Sequence, residues 1–193
     1  MNGGREMSAS ELLEKIRRLK VYFGKDGGVT VSGGEPLMQA GFVKELFQRC
    51  REEGISCALD TSGCVINQEV EELLELCDLV LLDYKYTNDT QYKENVGCSI
   101  ERVKAFLDRL EAMNKRVWLR QVIIPGLNDS EESVRRLYDI ANNYNCVEKV
   151  ELLPFRKLCI EKYKEMGIDF PLVHVPEANS ELIDRLQECS SEK

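Results

Sequence analysis

The sequence predicts an α/β fold arranged as a partial (β/α) barrel, and three observations lead there. Five short runs rich in β-branched and other apolar residues begin at residues 28, 56, 79, 116 and 149. Amphipathic helical patterns lie between them, so the runs recur at about the length of one βαβ unit. The G-x-G-x-x-G order of a dinucleotide fold is absent, which favours a parallel barrel over a doubly wound sheet.

The elements follow in order. A helix over residues 8–23 opens on Ser8 and Glu11 at capping-box spacing, with Leu12, Leu13, Ile16, Leu19 and Phe23 on its inner face. Gly24-Lys25-Asp26-Gly27-Gly28 reads as a turn into the first strand, 28–32. Behind Pro36, a good first-turn residue, Met38, Phe42, Val43, Leu46, Phe47 and Cys50 share a helix face. The second strand, 56–61, leads to a short helix over 70–77. The third, 79–84, contains Leu79-Val80-Leu81-Leu82 without alternation, as expected of a parallel strand buried on both faces. Ser99 caps a helix carrying Ile100, Val103, Phe106, Leu107, Leu110 and Met113. In the fourth strand, 116–123, Trp118 is expected to pack outward beneath a helix. Asp129 and Glu132 have the spacing of a capping box before Val134, Leu137, Tyr138, Ile140, Ala141 and Tyr144. A fifth strand over 149–154 and a helical pattern over 182–186 complete the chain. One domain is expected, with residues 1–27 as leading helix and turn, 28–156 as five β/α units and 157–193 as C-terminal loop and helix.

Composition excludes several classes. The 26 lysines and arginines against 34 aspartates and glutamates leave a net charge of −8 and no basic cluster, so neither a nucleic-acid backbone nor an anionic membrane is an expected partner. The longest apolar run, Leu79 to Leu82, is far short of the ~20 residues of a spanning helix. The start has no apolar stretch behind its charge, so it is not read as a secretory signal, and a cytoplasmic location is expected. The eight cysteines, at 50, 57, 64, 77, 98, 146, 159 and 189, contain no C-x-x-C-type turn that would present two thiolates to one metal. They read as reduced and mostly buried. His174 is the only histidine, expected in an exposed loop.

The informative pattern lies after each strand, where parallel α/β folds bind their ligands. The first strand runs into Ser32-Gly33-Gly34-Glu35, the second into Asp60-Thr61-Ser62-Gly63 and the third into Asp83-Tyr84-Lys85. The fourth carries Arg120, and the fifth ends at Pro154-Phe155-Arg156. Glu35, Asp60 and Asp83 face Lys85, Arg120 and Arg156 in number, and Gly33-Gly34 offers backbone that a ligand can approach closely. Strand-end ion pairs such as Asp83 with Lys85 explain any one of these residues. Five junctions together point to a zwitterionic or mixed-charge small molecule.

These same segments resemble a family. Val29-Thr30-Val31-Ser32-Gly33-Gly34-Glu35-Pro36-Leu37, Leu59-Asp60-Thr61-Ser62-Gly63, Leu82-Asp83-Tyr84-Lys85, Trp118-Leu119-Arg120 with Val122-Ile123-Ile124-Pro125-Gly126, and Glu151-Leu152-Leu153-Pro154-Phe155 occur in the order of the glycyl-radical-enzyme activases. The chain most resembles the pyruvate formate-lyase-activating type within the radical S-adenosylmethionine (radical SAM) superfamily. The resemblance implies a partial (β/α)6 barrel holding SAM and a [4Fe-4S] cluster, with a 5′-deoxyadenosyl radical that takes hydrogen from a glycine of a partner such as pyruvate formate-lyase. It implies that Gly33, Gly34 and Glu35 meet the SAM amino group, and that Asp83 and Lys85 form the D-x-K motif. It further implies a monovalent-cation and SAM-carboxylate site at Asp60 and Thr61, and Arg120 and Arg156 beside the cofactor, Arg156 standing where the family has histidine.

The family's C-x-x-x-C-x-x-C cluster loop does not occur in these 193 residues. In the family it shortly precedes a segment like Gly3-Gly4-Arg5-Glu6-Met7-Ser8, so five of six strands are expected and the isolated chain is expected not to generate the radical. Three accounts fit that expectation: a fragment of a longer activase, one half of a split activase completed by another polypeptide, or a catalytically silent SAM- or partner-binding module. The strand at 28–32 is then an open edge, expected to pair with a second copy or a partner strand.

Overall fold

The structure, a computed structural model, describes residues 5–25 and 27–191. Gly3 and Gly4 of the leading segment and Asp26 of the glycine-rich turn lie outside the described residues. Five parallel strands form one sheet in sequential order: β1 Gly28–Val31, β2 Ser56–Thr61, β3 Leu79–Asp83, β4 Val117–Ile123 and β5 Val147–Pro154. Eight helices accompany them among the described residues: α1 Ala9–Leu19, α2 Ala40–Glu52, α3 Gln68–Leu76, α4 Asp89–Val96, α5 Ile100–Ala112, α6 Glu131–Asn142, α7 Ile160–Glu165 and α8 Ser180–Ser191. This is the α/β architecture of an open barrel, each strand lying beside its sequence neighbour.

The sheet is buried on one face only, which corrects the two-sided burial expected of β3. Cys57, Leu59, Val80, Leu82, Val117, Leu119 and Ile123 are sealed in a core with Val43, Phe47, Leu73, Phe106 and Leu137 of the helices. On the other face Ala58, Asp60, Leu81, Asp83, Trp118, Arg120, Val122, Glu151 and Leu153 are half-buried. Leu79 and Leu81 hide this alternation in the sequence because the open face of a partial barrel is itself partly apolar. The same register corrects Trp118: two residues from Arg120, it shares Arg120's open face. There Lys149 Nζ sits 4.5 Å from its ring centroid.

Helix starts follow local hydrogen bonding. Ser8 accepts from Glu11 N at 3.2 Å while Ser8 N donates to the Glu11 carboxylate at 2.8 Å, the reciprocal cap expected for α1. The helix is shorter than its pattern, however. Lys20–Tyr22 tighten into a 3-10 turn, which shifts the face by its smaller angular period and leaves Leu19 53% exposed. Pro36–Gln39 is likewise a 3-10 turn, so Met38 points to solvent instead of joining α2's inner face. At α6 the cap is Ser130, whose hydroxyl accepts from Ser133 N at 3.2 Å. Asp129, expected in that role, instead accepts from Gly126 N at 3.0 Å. The α4 helix was not legible because Tyr92 is its only buried residue. Among the described residues no helix is long and apolar enough to cross a membrane. His174 is exposed, as expected.

Glu111 staples the end of α5 to the loop before β5. Its carboxylate accepts from Asn145 Nδ2 at 2.9 Å, Cys146 N at 2.7 Å and Asn145 N at 3.1 Å. These bonds, led by the Asn145 side chain, hold its pKa down to about 2. A carboxylate depressed in the folded state stabilises the fold above its unfolded pKa of ~4.3, and that contribution is lost as the pH falls through about 2. Urea unfolding midpoints measured from pH 5 to 2 are expected to fall less steeply in Glu111→Gln than in the parent chain.

Candidate functional site

Two polar assemblies lie at the carboxyl ends of β1 to β3 and on the adjoining parts of β4 and β5. In the first, Glu35 follows the β1 turn and its carboxylate is fully engaged. Oε1 accepts from Leu37 N at 3.1 Å and Thr61 Oγ1 at 2.6 Å, and Oε2 accepts from Ser62 N at 3.0 Å and from the Ser62 hydroxyl. Glu35 thereby ties the β1 loop to the end of β2, instead of presenting a free carboxylate. It leaves the backbone of Gly33 and Gly34 as the exposed part of this loop. Both adopt left-handed conformations, φ +89° and +57°, and a Cβ at either would meet nothing within 4 Å. The requirement for glycine there is conformational, and the surrounding space is open to a ligand.

The second assembly lies across the open face. Arg120 Nη1 donates to Asp60 Oδ2 at 3.0 Å, and Arg120 Nε stands 3.7 Å from Glu151 Oε2. Nε is buried and makes no hydrogen bond. Register explains the grouping: Asp83 pairs with Arg120 across β3 and β4, and Arg120 with Glu151 across β4 and β5, so the three form one row. Asp83 is ion-paired to Lys85, the local pairing weighed from the sequence, and Glu151 also accepts from Lys149 Nζ at 2.6 Å. The Arg120, Asp60 and Glu151 side chains are between 20% and 25% exposed. The charges are therefore partly shielded from water yet reachable from the open face.

Not every expected residue joins. Asp60 and Thr61 are consecutive in β2, so their side chains leave on opposite faces. The Thr61 hydroxyl donates to Glu35 while Asp60 accepts from Arg120, so each belongs to a different assembly. Arg156 donates to the Ala178 carbonyl at 2.6 Å and lies 3.6 Å from Glu177, bracing the C-terminal segment. Sequence reasoning missed Glu151 and Ser62 as members of the assemblies. Lys149 and Glu151, charged and two apart in a strand, were the available signal for the former.

The segment holding Lys85 is fixed from behind. Asn128 Nδ2 donates to the Lys85 carbonyl at 3.2 Å and the Val122 carbonyl at 2.9 Å, and Asn128 Oδ1 accepts from Ile124 N at 2.7 Å. Gln121 Nε2 donates to the Tyr84 carbonyl at 2.9 Å, and Lys85 N donates to Tyr92 Oη at 3.3 Å. Tyr84 itself is buried against Tyr92 in the helix layer.

A sequential parallel sheet open on one face, with mixed charge toward its carboxyl ends, defines an open-barrel fold class. The family model of the radical SAM superfamily matches residues 1–138, and the chain belongs to that superfamily. Within it the chain groups with the pyruvate formate-lyase-activating enzymes. It is 42% identical over 193 residues to the pyruvate formate-lyase-activating enzyme of Clostridium pasteurianum, covering all of this chain and 81% of that one. It is 37% identical over 189 residues to the pyruvate formate-lyase 1-activating enzyme of Escherichia coli (strain K12), covering 96% and 77%. Among solved structures, a domain of a pyruvate-formate lyase-activating enzyme from Bacteroides vulgatus superposes with a TM-score of 0.69 at 22% identity, over 86% of this chain and 93% of that one. A radical SAM methyltransferase from Sphaerobacter thermophilus gives 0.70 at 18% identity, over 96% and 55%. These two likenesses bear on the fold.

The superfamily implies SAM and a [4Fe-4S] cluster. The donor set suits SAM, which carries a carboxylate, an amino group and a sulfonium. The Arg120 guanidinium, 20% exposed and with a buried Nε that makes no hydrogen bond, suits an anionic group, Asp60, Asp83 and Glu151 suit cationic ones, and Gly33-Gly34 admits close approach. The cluster is not matched in the same way. Among the described residues no three His, Cys, Asp or Glu side chains stand close enough to hold a metal ion.

Proposed function

We propose that the chain supplies the SAM-binding open face of an activase for a glycyl radical enzyme of the pyruvate formate-lyase type, working in the cytoplasm. The observation that carries this reading is the Asp83, Arg120, Glu151 row, backed by Asp60, at the strand ends of a chain 42% identical to such an activase. When bound, SAM supplies the 5′-deoxyadenosyl group that takes hydrogen from the partner's glycine. The residues here bind and orient it. Gly33 and Gly34 offer backbone groups to its amino-acid end, and Arg120 directs its guanidinium at the carboxylate. Asp83 and Lys85 hold opposite charges beside the same row, Asp83 toward the amino group. Glu35 and Thr61 act as positioning residues that keep the β1 loop over the end of β2.

The thiolates of a cluster would come from outside these 193 residues. Among the described residues β1 pairs only with β2, and its open edge suits a strand arriving with those thiolates or a second copy of the chain. Anaerobic reconstitution of the 193-residue chain with iron and sulfide tests this. The expected result is no stable [4Fe-4S] absorbance and no 5′-deoxyadenosine from SAM under reducing conditions. A chain that assembles the cluster and cleaves SAM alone would overturn it. A chain that fails to bind SAM would overturn the SAM-binding reading itself.

A further inference from the structure

Cys64 and Cys98 are 34 residues apart in sequence, yet their Sγ atoms lie 3.4 Å apart. Both are half-buried, whereas Cys50, Cys57, Cys77 and Cys146 are buried. Burial pushes the Cys77 and Cys146 thiols up to about 12 and raises that of Cys57 further, which makes them poor nucleophiles. The pair is presented by two fixed turns. Cys64 follows Gly63, whose left-handed backbone at φ +67° packs so tightly that a Cβ would come within 2.8 Å of Leu82 Cδ1. Cys98 lies between the Gly97 cap of α4 and the Ser99 cap of α5, where Asp89 accepts from Ser99 Oγ at 2.8 Å and Ile100 N at 3.0 Å. In front of Cys64 runs a groove of about 510 Å³, lined by Gly63, Cys64, Val65, Ile66, Arg102 and Ala105.

We infer that Cys64 and Cys98 form a dithiol site that exchanges with a low-molecular-weight disulfide bearing carboxylates, Cys64 attacking from the groove and Cys98 resolving. The groove sets the order, because Cys64 lines it and Cys98 does not. The Cys64 thiolate displaces one thiol from the small disulfide and forms a mixed disulfide, its proton leaving with solvent or the departing thiolate. Cys98, already in contact, then attacks Cys64 Sγ and displaces the second small thiol. One small disulfide is reduced to two thiols, and two protein thiols become one protein disulfide. Arg102 gives the carboxylates a partner. Burial and the contact with Cys64 raise the Cys98 thiol, and the Arg102 guanidinium opposes both. The bridge would join the loop after β2 to the head of α5. Ser62, two residues before Cys64, is the donor that holds Glu35, so the bridge restrains the loop that carries this part of the candidate site.

The test treats the 193-residue chain with oxidised glutathione, and separately with uncharged 2-hydroxyethyl disulfide, and follows intact mass and peptide maps. The parent chain is expected to lose two hydrogens and yield a linked Cys64–Cys98 peptide. Cys98→Ser is expected to retain one glutathione on Cys64. Cys64→Ser, checked by circular dichroism and repeated as Cys64→Ala, is expected to react at least ~10-fold more slowly. Arg102→Gln is expected to slow the reaction with glutathione disulfide and leave that with 2-hydroxyethyl disulfide unchanged. Stable glutathione on both sulfurs without a bridge, or modification of Cys159 as fast as Cys64, would overturn the inference.

Discussion

Replacing Arg120 with methionine is expected to weaken SAM binding by about 10- to 100-fold and to destabilise the fold by about 2 kcal/mol. The binding loss follows from removing the guanidinium of the row, and with it the positive charge between Asp60 and Glu151. A hydrogen bond to a charged group is worth about 1.5–3 kcal/mol, which sets the range of the affinity change. The stability loss arises because two partly buried carboxylates would lose their shared cation. Breaking a fully buried pair costs roughly 3–5 kcal/mol, and the residual exposure of these groups reduces that figure. Arg120→Lys should recover much of the stability but little of the affinity, because an ammonium lacks the planar fork that serves two strands at once. Calorimetric titration and urea unfolding read the two effects separately.

Asn128→Ala is expected to cost about 3 kcal/mol in urea unfolding and to weaken SAM binding by a smaller factor. Asn128 is 2% exposed, and its amide satisfies three backbone groups from three places: Lys85 O, Val122 O and Ile124 N. Val122 O and Ile124 N would each lose this partner at about 1 kcal/mol or more, and Lys85 O would keep only the longer bond from Gln121 Nε2 at 3.4 Å. The link to binding runs through Lys85. The backbone after β3 is held by Asn128, Gln121 and Tyr92, so removing one brace loosens the Lys85 ammonium that pairs with Asp83. Relative to the parent chain, an Asn128→Asp variant should be destabilised more near neutral pH than at pH 4, because a carboxylate there would face two carbonyl oxygens. Equal stability of Asn128→Ala and the parent would remove Asn128 from this role.

The five strands and their order were legible because parallel β/α units repeat a simple apolar pattern. What the pattern concealed was the difference between the two faces of the sheet. In β3 the inward Leu79 and Leu81 are as apolar as the covered Val80 and Leu82, so only the structure separates the open face from the sealed one. Trp118, expected beneath a helix, lies on the open face for a related reason, since two residues from Arg120 in one strand it shares that residue's side. Helix ends failed where a 3-10 turn changed the period, at Leu19 and Met38. At the site, residue types at the strand ends revealed mixed charge, but not how that charge is used. Glu35 spends its carboxylate on Thr61, Ser62 and Leu37, and Arg156 turns to Ala178, because both answer to nearby unpaired polar groups. Glu151 escaped notice because its partner, Arg120, is 31 positions away and is brought to it only by the β4–β5 register.

The proposed SAM site is the open face of this sheet, organised around Arg120. Isothermal titration of SAM into the 193-residue chain, alongside the Arg120→Met variant, tests it most directly. Saturable binding of one SAM per chain is expected, with a loss of at least ~10-fold in the variant. No saturable binding by the parent chain, or binding that Arg120→Met leaves unchanged, would contradict it.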